Sequence, residues 1–112
     1  MNWAIEVNGM LAGCIGVNRG EFEYARSGEL GYWLGAGFWQ QGIASAAARQ
    51  IITQVFEATD IERLFATVFS GNQASMALLR KLGFTQEAVL QRAIFKNGYF
   101  YNSHIFSLLK QS

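Results

Sequence analysis

The chain contains no proline, one cysteine and one histidine among its 112 residues. Because Cys14 stands alone, no internal disulfide can form, which suits a reducing cytoplasm and predicts a cytoplasmic location. Cys14 lies in an apolar run typical of a strand, so we expect a small buried hydrophobe rather than a nucleophile. One histidine, one cysteine and scattered carboxylates provide no metal-binding constellation, and no metal is expected.

Long charged or apolar runs are also lacking, and the net charge is +1. Nucleic-acid binding by a basic surface is therefore not expected, and neither is a membrane partner. Two common phosphate loops are absent as well. Gly42 is followed by Ile43 and Ala44 instead of Lys-Ser/Thr, and Gln40 occupies the position that would complete Gly-x-Gly-x-x-Gly from Gly35.

Hydrophobic residues make up 51% of the chain, enough for the core of one domain spanning 1–112. Alternation, helical periodicity and turn signals predict the order β-β-β-α-β-α-β-β. The fold class is α/β (α+β), a mixed, mostly antiparallel sheet with two helices. The predicted strands are Trp3–Val7, Leu11–Val17, Glu29–Leu34, Leu64–Phe69, Phe84–Phe95 and Tyr99–Leu109, and the predicted helices are Ile43–Ala58 and Gln73–Leu82.

The most distinctive stretch, residues 30–48, is predicted to be a strand, a glycine-bearing turn and the start of a helix. A helix N-terminus offers unpaired N–H groups and a positive dipole end, so it can hold an anion. Gly42 would allow a phosphate to approach the backbone. No Lys or Arg lies between Ser27 and Ala48, so backbone amides would hold any phosphate. The alternative is an ordinary strand-to-helix turn without a ligand.

A second stretch, residues 72–84, opens the other helix beside the same crevice, where two parallel strands are each followed by a turn and a helix. Asn72 and Ser75 lie on its first turn and can point into the crevice. The alternative is simple capping, in which Asn72 caps the helix and Ser75 bonds to the backbone.

Together the two stretches resemble the GCN5-related N-acetyltransferases (GNAT), and most closely the branch of Rim-type ribosomal-protein N-terminal acetyltransferases. The resemblance covers nearly the whole chain from Trp3 to Leu109, although Asn102 stands where that branch would have Asp. It implies acetyl-coenzyme A as co-substrate and a primary amine, a protein N-terminus or a small amine, as acceptor.

The resemblance also implies which residues contact the coenzyme. The turn would cradle the pyrophosphate, the free edge of the third strand would pair with the pantetheine amides, Asn72 would contact the pantetheine arm, and Lys81 or Arg80 would meet the nucleotide phosphate. The predicted coenzyme-binding residues are Trp33, Leu34, Gln40, Gln41, Gly42, Ile43, Ala44, Ser45, Asn72 and Lys81.

Acetyl transfer to an amine needs a base, because only the neutral amine attacks a thioester. Glu29 is the candidate base, acting directly or through water, and its alternative is a surface glutamate at a strand edge. Glu87 is a weaker candidate base. Ser75 is the candidate acid by resemblance, and its alternative is a helix-turn hydroxyl bonded to backbone. His104, alone on the last strand, is expected to be a structural or surface residue.

Members of this family usually begin with another strand and two helices, so the domain is predicted to be N-terminally shortened: a fragment, a reassigned start or a short form. Without those elements the first two strands would leave apolar side chains uncovered, which predicts a homodimer or a longer natural chain. Two other functions stay open, a coenzyme A-binding module without catalysis and an assembly subunit. The side chains expected to be uncovered are Trp3, Ile5, Val7, Leu11, Ile15 and Val17.

Overall fold

A computed structural model describes residues 1–38 and 42–111. Its six strands and two helices follow the predicted order, and every boundary lies within two residues of the predicted one. Neither helix in these ranges is long and apolar enough to cross a membrane. The strands are β1 (Asn2–Val7), β2 (Met10–Arg19), β3 (Ser27–Leu34), β4 (Arg63–Phe69), β5 (Thr85–Lys96) and β6 (Tyr99–Leu109), and the helices are α1 (Ile43–Ala58) and α2 (Gln73–Lys81).

The strands form one sheet in the spatial order β1-β2-β3-β4-β6-β5. Four neighbouring pairs are antiparallel, and only β3 and β4 run parallel. This confirms the predicted mixed, mostly antiparallel sheet. The parallel pair lies inside the sheet and is joined by α1, as expected of a strand-helix-strand unit.

Local turn chemistry sets the ends of several elements. Asn8 and Gly9 have φ angles of 52° and 78°, and the equivalent Asn-Gly pair at 97–98 has 52° and 81°. Two successive positive φ angles are what a two-residue hairpin turn requires, which is why Asn-Gly predicts it. Gly83, just beyond α2, has a φ of 96°, a conformation that glycine adopts without steric cost.

Both helices cover the same face of the sheet. Leu30 and Leu64 point from neighbouring strands into a core shared with Val55 of α1 and Leu79 of α2, and all four are at most 3% exposed. An Arg49 guanidinium nitrogen donates to the Lys81 carbonyl at 3.0 Å and links the two helices. No helix of the described residues packs on the other face, which is called the open face below.

The first two strands were predicted to leave their apolar side chains exposed to solvent. This prediction is wrong for three of these side chains. Ile5, Ile15 and Val17 are 8%, 1% and 0% exposed, since they point to the face that the two helices cover. Leu11, by contrast, is 64% exposed, as expected. The topology places α1 and α2 together on one side, so this face needs no further cover.

Three other side chains of β1 and β2 also differ in exposure from what was predicted. Trp3 and Val7 are half-buried and pack against the core instead of lying uncovered. Cys14, expected to be buried, is exposed. It pairs with Trp33 across the β2–β3 ladder and faces away from the helices. The apolar run around Cys14 therefore did not indicate which face of the sheet its side chain occupies.

Candidate functional site

The parallel pair at the centre of the sheet separates partway along its length. The β3–β4 ladder consists of Ser27, Gly28 and Glu29 opposite residues 63–65, and no further pair exists among the described residues. Each strand nevertheless stays paired with its outer neighbour to its end, β3 with β2 and β4 with β6. The two strands therefore diverge and leave an opening between residues 30–33 and 66–69, called the split below.

Helix α1 begins beside the split. Gly42 precedes it with a φ of 73°, and the N–H of Ala46 makes a bond of 3.1 Å to the Gly42 carbonyl. The N–H groups of residues 43–45 come before this first helical bond and point out of the helix end. A Cβ placed on Gly42 would have no atom of the described residues within 4 Å apart from its chain neighbours. The predicted contacts Gln40 and Gln41 lie outside the described residues.

The hydroxyl of Ser45 forms a hydrogen bond within the first turn of α1. It is buried, and Oγ donates to the Gly42 carbonyl at 3.1 Å. Any contribution of this residue to anion binding therefore rests on its backbone N–H. The first turn of α1 contains no charged side chain.

Helix α2 begins on the other side of the split. The side-chain oxygen of Asn72 accepts from the Ser75 N–H at 3.1 Å, so Asn72 caps the helix as the alternative interpretation held. Ser75 behaves differently: its Oγ lies 2.5 Å from the Tyr32 hydroxyl of β3. Burial raises the pKa of Tyr32, while the bond to Ser75 opposes that rise. Sequence reasoning had not assigned Tyr32 a role.

Glu29 lies at the last pair of the β3–β4 ladder and is half-buried on the open face. The Thr67 hydroxyl donates to its carboxylate at 3.4 Å, a long contact, and no salt bridge to Glu29 is present among the described residues. Its neighbours Gly28 and Leu30 point to the helix-covered face. Glu29 and Ser75 therefore flank the split from opposite faces of the sheet.

The weaker candidate base, Glu87, has both oxygens occupied. One forms a salt bridge with Arg63, and the other accepts from the Ser107 hydroxyl at 3.0 Å. His104 contacts the Gln86 side chain at 2.9 Å between β6 and β5. These bonds hold the sheet together, and they leave Glu29 as the better placed carboxylate.

A cavity of about 710 Å³ lies beside Glu29 on the open face. Its wall includes the aromatic rings of Phe22, Tyr24 and Phe65, and the Arg63 guanidinium lies 4.9 Å from the centre of the Phe65 ring. Phe22 and Tyr24 belong to a short 3-10 turn between β2 and β3. Sequence reasoning did not single them out, because they stand alone within a polar, charged connection.

The remaining predicted contacts are spread around the split. Trp33 is 57% exposed on the open face, and Leu34 is half-buried at the end of β3. Lys81 is the last residue of α2, at the opposite end of that helix from Ser75. Asn102 accepts from the backbone N–H of Arg92 at 3.0 Å in the irregular part of β5, which gives it a structural role.

Sequence comparison identifies the family. A family model described as an acetyltransferase (GNAT) domain matches residues 1–85. The chain belongs to the GNAT acetyltransferase family. It is 33% identical over 112 residues to the uncharacterized N-acetyltransferase YoaA of Bacillus subtilis, covering 98% of this chain and 63% of YoaA.

Solved structures of acetyltransferases share the fold. The ribosomal L7/L12 alpha-N-protein acetyltransferase RimL, solved in complex with coenzyme A, has a TM-score of 0.89 and 28% identity over 96% of this chain and 60% of RimL. The microcin C7 self-immunity acetyltransferase MccE, solved with acetyl-CoA and AMP, has a TM-score of 0.77 and 30% identity over 89% of this chain and 55% of MccE. The chain thus spans about three fifths of the length of these relatives.

Proposed function

We propose that this chain binds acetyl-coenzyme A in the split and transfers the acetyl group to a primary amine. The observation that carries the proposal is the separation of β3 and β4 directly beside the N-terminus of α1. An extended ligand that carries both amides and phosphates needs a strand edge and an anion site in succession. The split and the end of α1 supply these two features side by side.

The residues present fit the coenzyme. The N–H groups of residues 43–45 and the small Gly42 suit a pyrophosphate. Gln40 and Gln41 are proposed as further contacts on the sequence alone. The inner edge of β3 at residues 30–33, which includes Trp33, suits the pantetheine amides. Asn72 keeps its side-chain nitrogen for the same arm while its oxygen caps α2. Lys81 is proposed as the contact to the nucleotide phosphate.

Acetyl-coenzyme A, when bound, supplies an activated thioester, and the chain's own residues prepare the amine. Glu29 takes the proton of the attacking amine, directly or through water, because it is the carboxylate next to the split without an ion pair in the described part of the chain. Ser75, on the opposite side, has its Oγ bonded to the Tyr32 hydroxyl and not to the backbone. It would donate a hydrogen bond to the sulfur that leaves.

The acceptor proposed here is the α-amine of a peptide or protein N-terminus. Deprotonating an α-amine at pH 7 costs about 1 kcal/mol, against about 4–5 kcal/mol for a lysine-like amine. Glu29, whose carboxylate has one long hydrogen bond, suits the deprotonation of an α-amine because that step has the smaller cost. The cavity beside Glu29 is lined by aromatic rings, by two carboxylates, Glu21 and Glu29, and by two guanidiniums, Arg19 and Arg63. Their charges cancel, which favours a peptide over a polyamine, because a polyamine would need an excess of carboxylates. The RimL relative carries an alpha-N-protein acceptor in its name.

The test of this function is thiol release from acetyl-coenzyme A by the purified chain. We expect release with short peptides that have free N-termini, little release with spermidine, and none with the same peptides N-acetylated. A chain that binds coenzyme A but releases no thiol with any amine would contradict the transferase proposal.

The second candidate, a coenzyme A-binding module without catalysis, is favoured by one observation. The chain spans about three fifths of the length of its relatives, so about two fifths of each relative has no counterpart in the matched residues. That candidate predicts calorimetric binding of coenzyme A with no thiol release. A cytoplasmic location stays a prediction for either candidate.

We also propose a homodimer that uses the first two strands. Met10 and Leu11 are both 64% exposed at the β1–β2 turn, and β1 is an outer strand of the sheet. An outer strand with exposed apolar side chains favours association. Light scattering at low micromolar concentration is expected to give about twice the mass of the 12.5 kDa chain.

The matched variants are Leu11→Lys and Phe22→Lys, which place the same charge on two exposed apolar positions. Only Leu11→Lys should shift the mass to that of one chain, since Phe22 lies in the β2–β3 connection. A wild-type mass of one chain, with a well-folded protein, would contradict the dimer.

A further inference from the structure

One hydrogen bond connects the two sides of the split. The hydroxyl oxygens of Tyr32 on β3 and Ser75 on α2 lie 2.5 Å apart, although 43 residues separate them in the sequence. Both side chains are half-buried. The bond therefore holds two hydroxyl groups at the point where the strand edge and the first turn of α2 face each other.

Either hydroxyl can be the donor in this bond, and the chemistry of the two groups favours Tyr32. A phenol is the stronger acid of the pair and hence the stronger donor. Burial raises the pKa of Tyr32, and no charged side chain contributes to that shift in the described residues, so the phenol stays protonated at neutral pH. Tyr32 accordingly donates and Ser75 Oγ accepts. No other described contact uses Ser75 Oγ, which leaves its own hydrogen for another acceptor.

We propose that Tyr32 is a positioning residue that orients the Ser75 hydroxyl towards the split, where Ser75 donates a hydrogen bond to the coenzyme sulfur. This inference rests on the proposed function. Without Tyr32 the Ser75 hydroxyl turns freely about its side-chain bond, and its hydrogen spends only part of the time directed at the sulfur. Tyr32 itself need not contact the coenzyme.

The pair acts by hydrogen bonding and not by proton transfer. As the new C–N bond forms and the C–S bond breaks, the electron pair of the C–S bond stays on sulfur, and the amine proton goes to Glu29 or water. Passing the Tyr32 proton to a thiolate, whose free thiol has a pKa of about 8.5, would be unfavourable by a factor of about 30 or more, because the pKa of Tyr32 lies above its ordinary value near 10. Ser75 stabilises the thiolate, which takes a proton from solvent after release.

The test measures the pKa of the thiol of bound coenzyme A, followed by the ultraviolet absorbance of the thiolate during a pH titration. A donor bonded to the charged form lowers that pKa below the free value. Ser75→Ala is expected to raise it by about one unit. Tyr32→Phe should raise it nearly as much, and the double variant should add nothing to Ser75→Ala, because both changes remove the same bond.

Two further variants separate positioning from a general packing effect. Tyr101→Phe, at a half-buried tyrosine on the open face, should leave the thiol pKa unchanged. Ser75→Thr retains the hydroxyl and should keep the pKa near the wild-type value, which tests the bond even where Tyr32→Phe is too unstable to titrate.

The outcomes are distinguishable. A Tyr32→Phe variant with the wild-type thiol pKa, a shift that adds to that of Ser75→Ala, or a Ser75→Thr value as high as that of Ser75→Ala would overturn the inference alone. Failure of the wild-type chain to bind coenzyme A would overturn the proposed function, and this inference with it.

Discussion

Replacing Gly42 with valine lowers the affinity for coenzyme A on the order of 10- to 100-fold. The expected loss corresponds to one hydrogen bond from an amide to a charged phosphate, about 1.5–3 kcal/mol. A Cβ at this position has no atom of the described residues within 4 Å apart from its chain neighbours, and we expect the valine side chain to crowd a phosphate at the N–H groups of residues 43–45. Isothermal titration calorimetry with coenzyme A measures the effect.

The same substitution also strains the backbone, since Gly42 has a φ of 73° and valine tolerates positive φ poorly. Gly9→Val is a matched control: Gly9 has a φ of 78°, also with nothing within 4 Å of a Cβ, in the β1–β2 turn. Both variants should lose similar stability on thermal unfolding, and only Gly42→Val should lose affinity. Equal affinities of Gly42→Val and wild type would remove the anion site from α1.

Glu29→Gln is expected to lower kcat by about 10²- to 10⁴-fold, the usual contribution of a positioned general base. Coenzyme affinity should stay within about twofold of wild type, because Glu29 lines the cavity proposed for the acceptor on the open face, and the proposed coenzyme contacts lie along the strand edge and the helix ends. Without the base, the residual rate should rise with pH as a peptide α-amine, with a pKa of about 7.7–8.0, loses its proton in solution. Steady-state rates from pH 6 to 9 give both parameters.

Glu23→Gln is the matched control, since it removes the same charge from an exposed position in the 3-10 turn near the cavity. Its rate should match that of wild type at every pH. If Glu29→Gln also keeps the wild-type rate across this range, Glu29 is not the base, and water or ionisation of the amine in solution takes its place.

Local signals in the sequence were enough to predict the helices and strands, and also the residue at which α1 begins. The stripe of apolar residues placed α1 at Ile43–Ala58, and the structure has the same bounds. Asn72 and Gly83 marked the ends of α2, because capping chemistry depends on a few neighbouring residues. The crevice between the parallel strands followed from topology, and the short β3–β4 ladder agrees with it.

The features that depend on contacts between distant parts of the chain could not be predicted from local sequence patterns. The contact between Tyr32 and Ser75 joins residues that no local pattern connects, so Tyr32 had no predicted role. The side of the sheet that α1 and α2 cover decided the burial of Ile15 and the exposure of Cys14, and alternation alone does not tell which face is which. The cavity beside Glu29 likewise depends on how the β2–β3 connection folds back on the sheet.

The central claim is that coenzyme A binds in the split, and amide-resolved NMR tests it most directly. On titration with coenzyme A, the largest shifts are expected at the amides of residues 30–34, 42–45 and 72–75, which border the split. The amides of the β5–β6 turn, at residues 96–99, should change little. Saturable binding with its largest shifts in that turn, or no shifts at residues 42–45, would contradict the account.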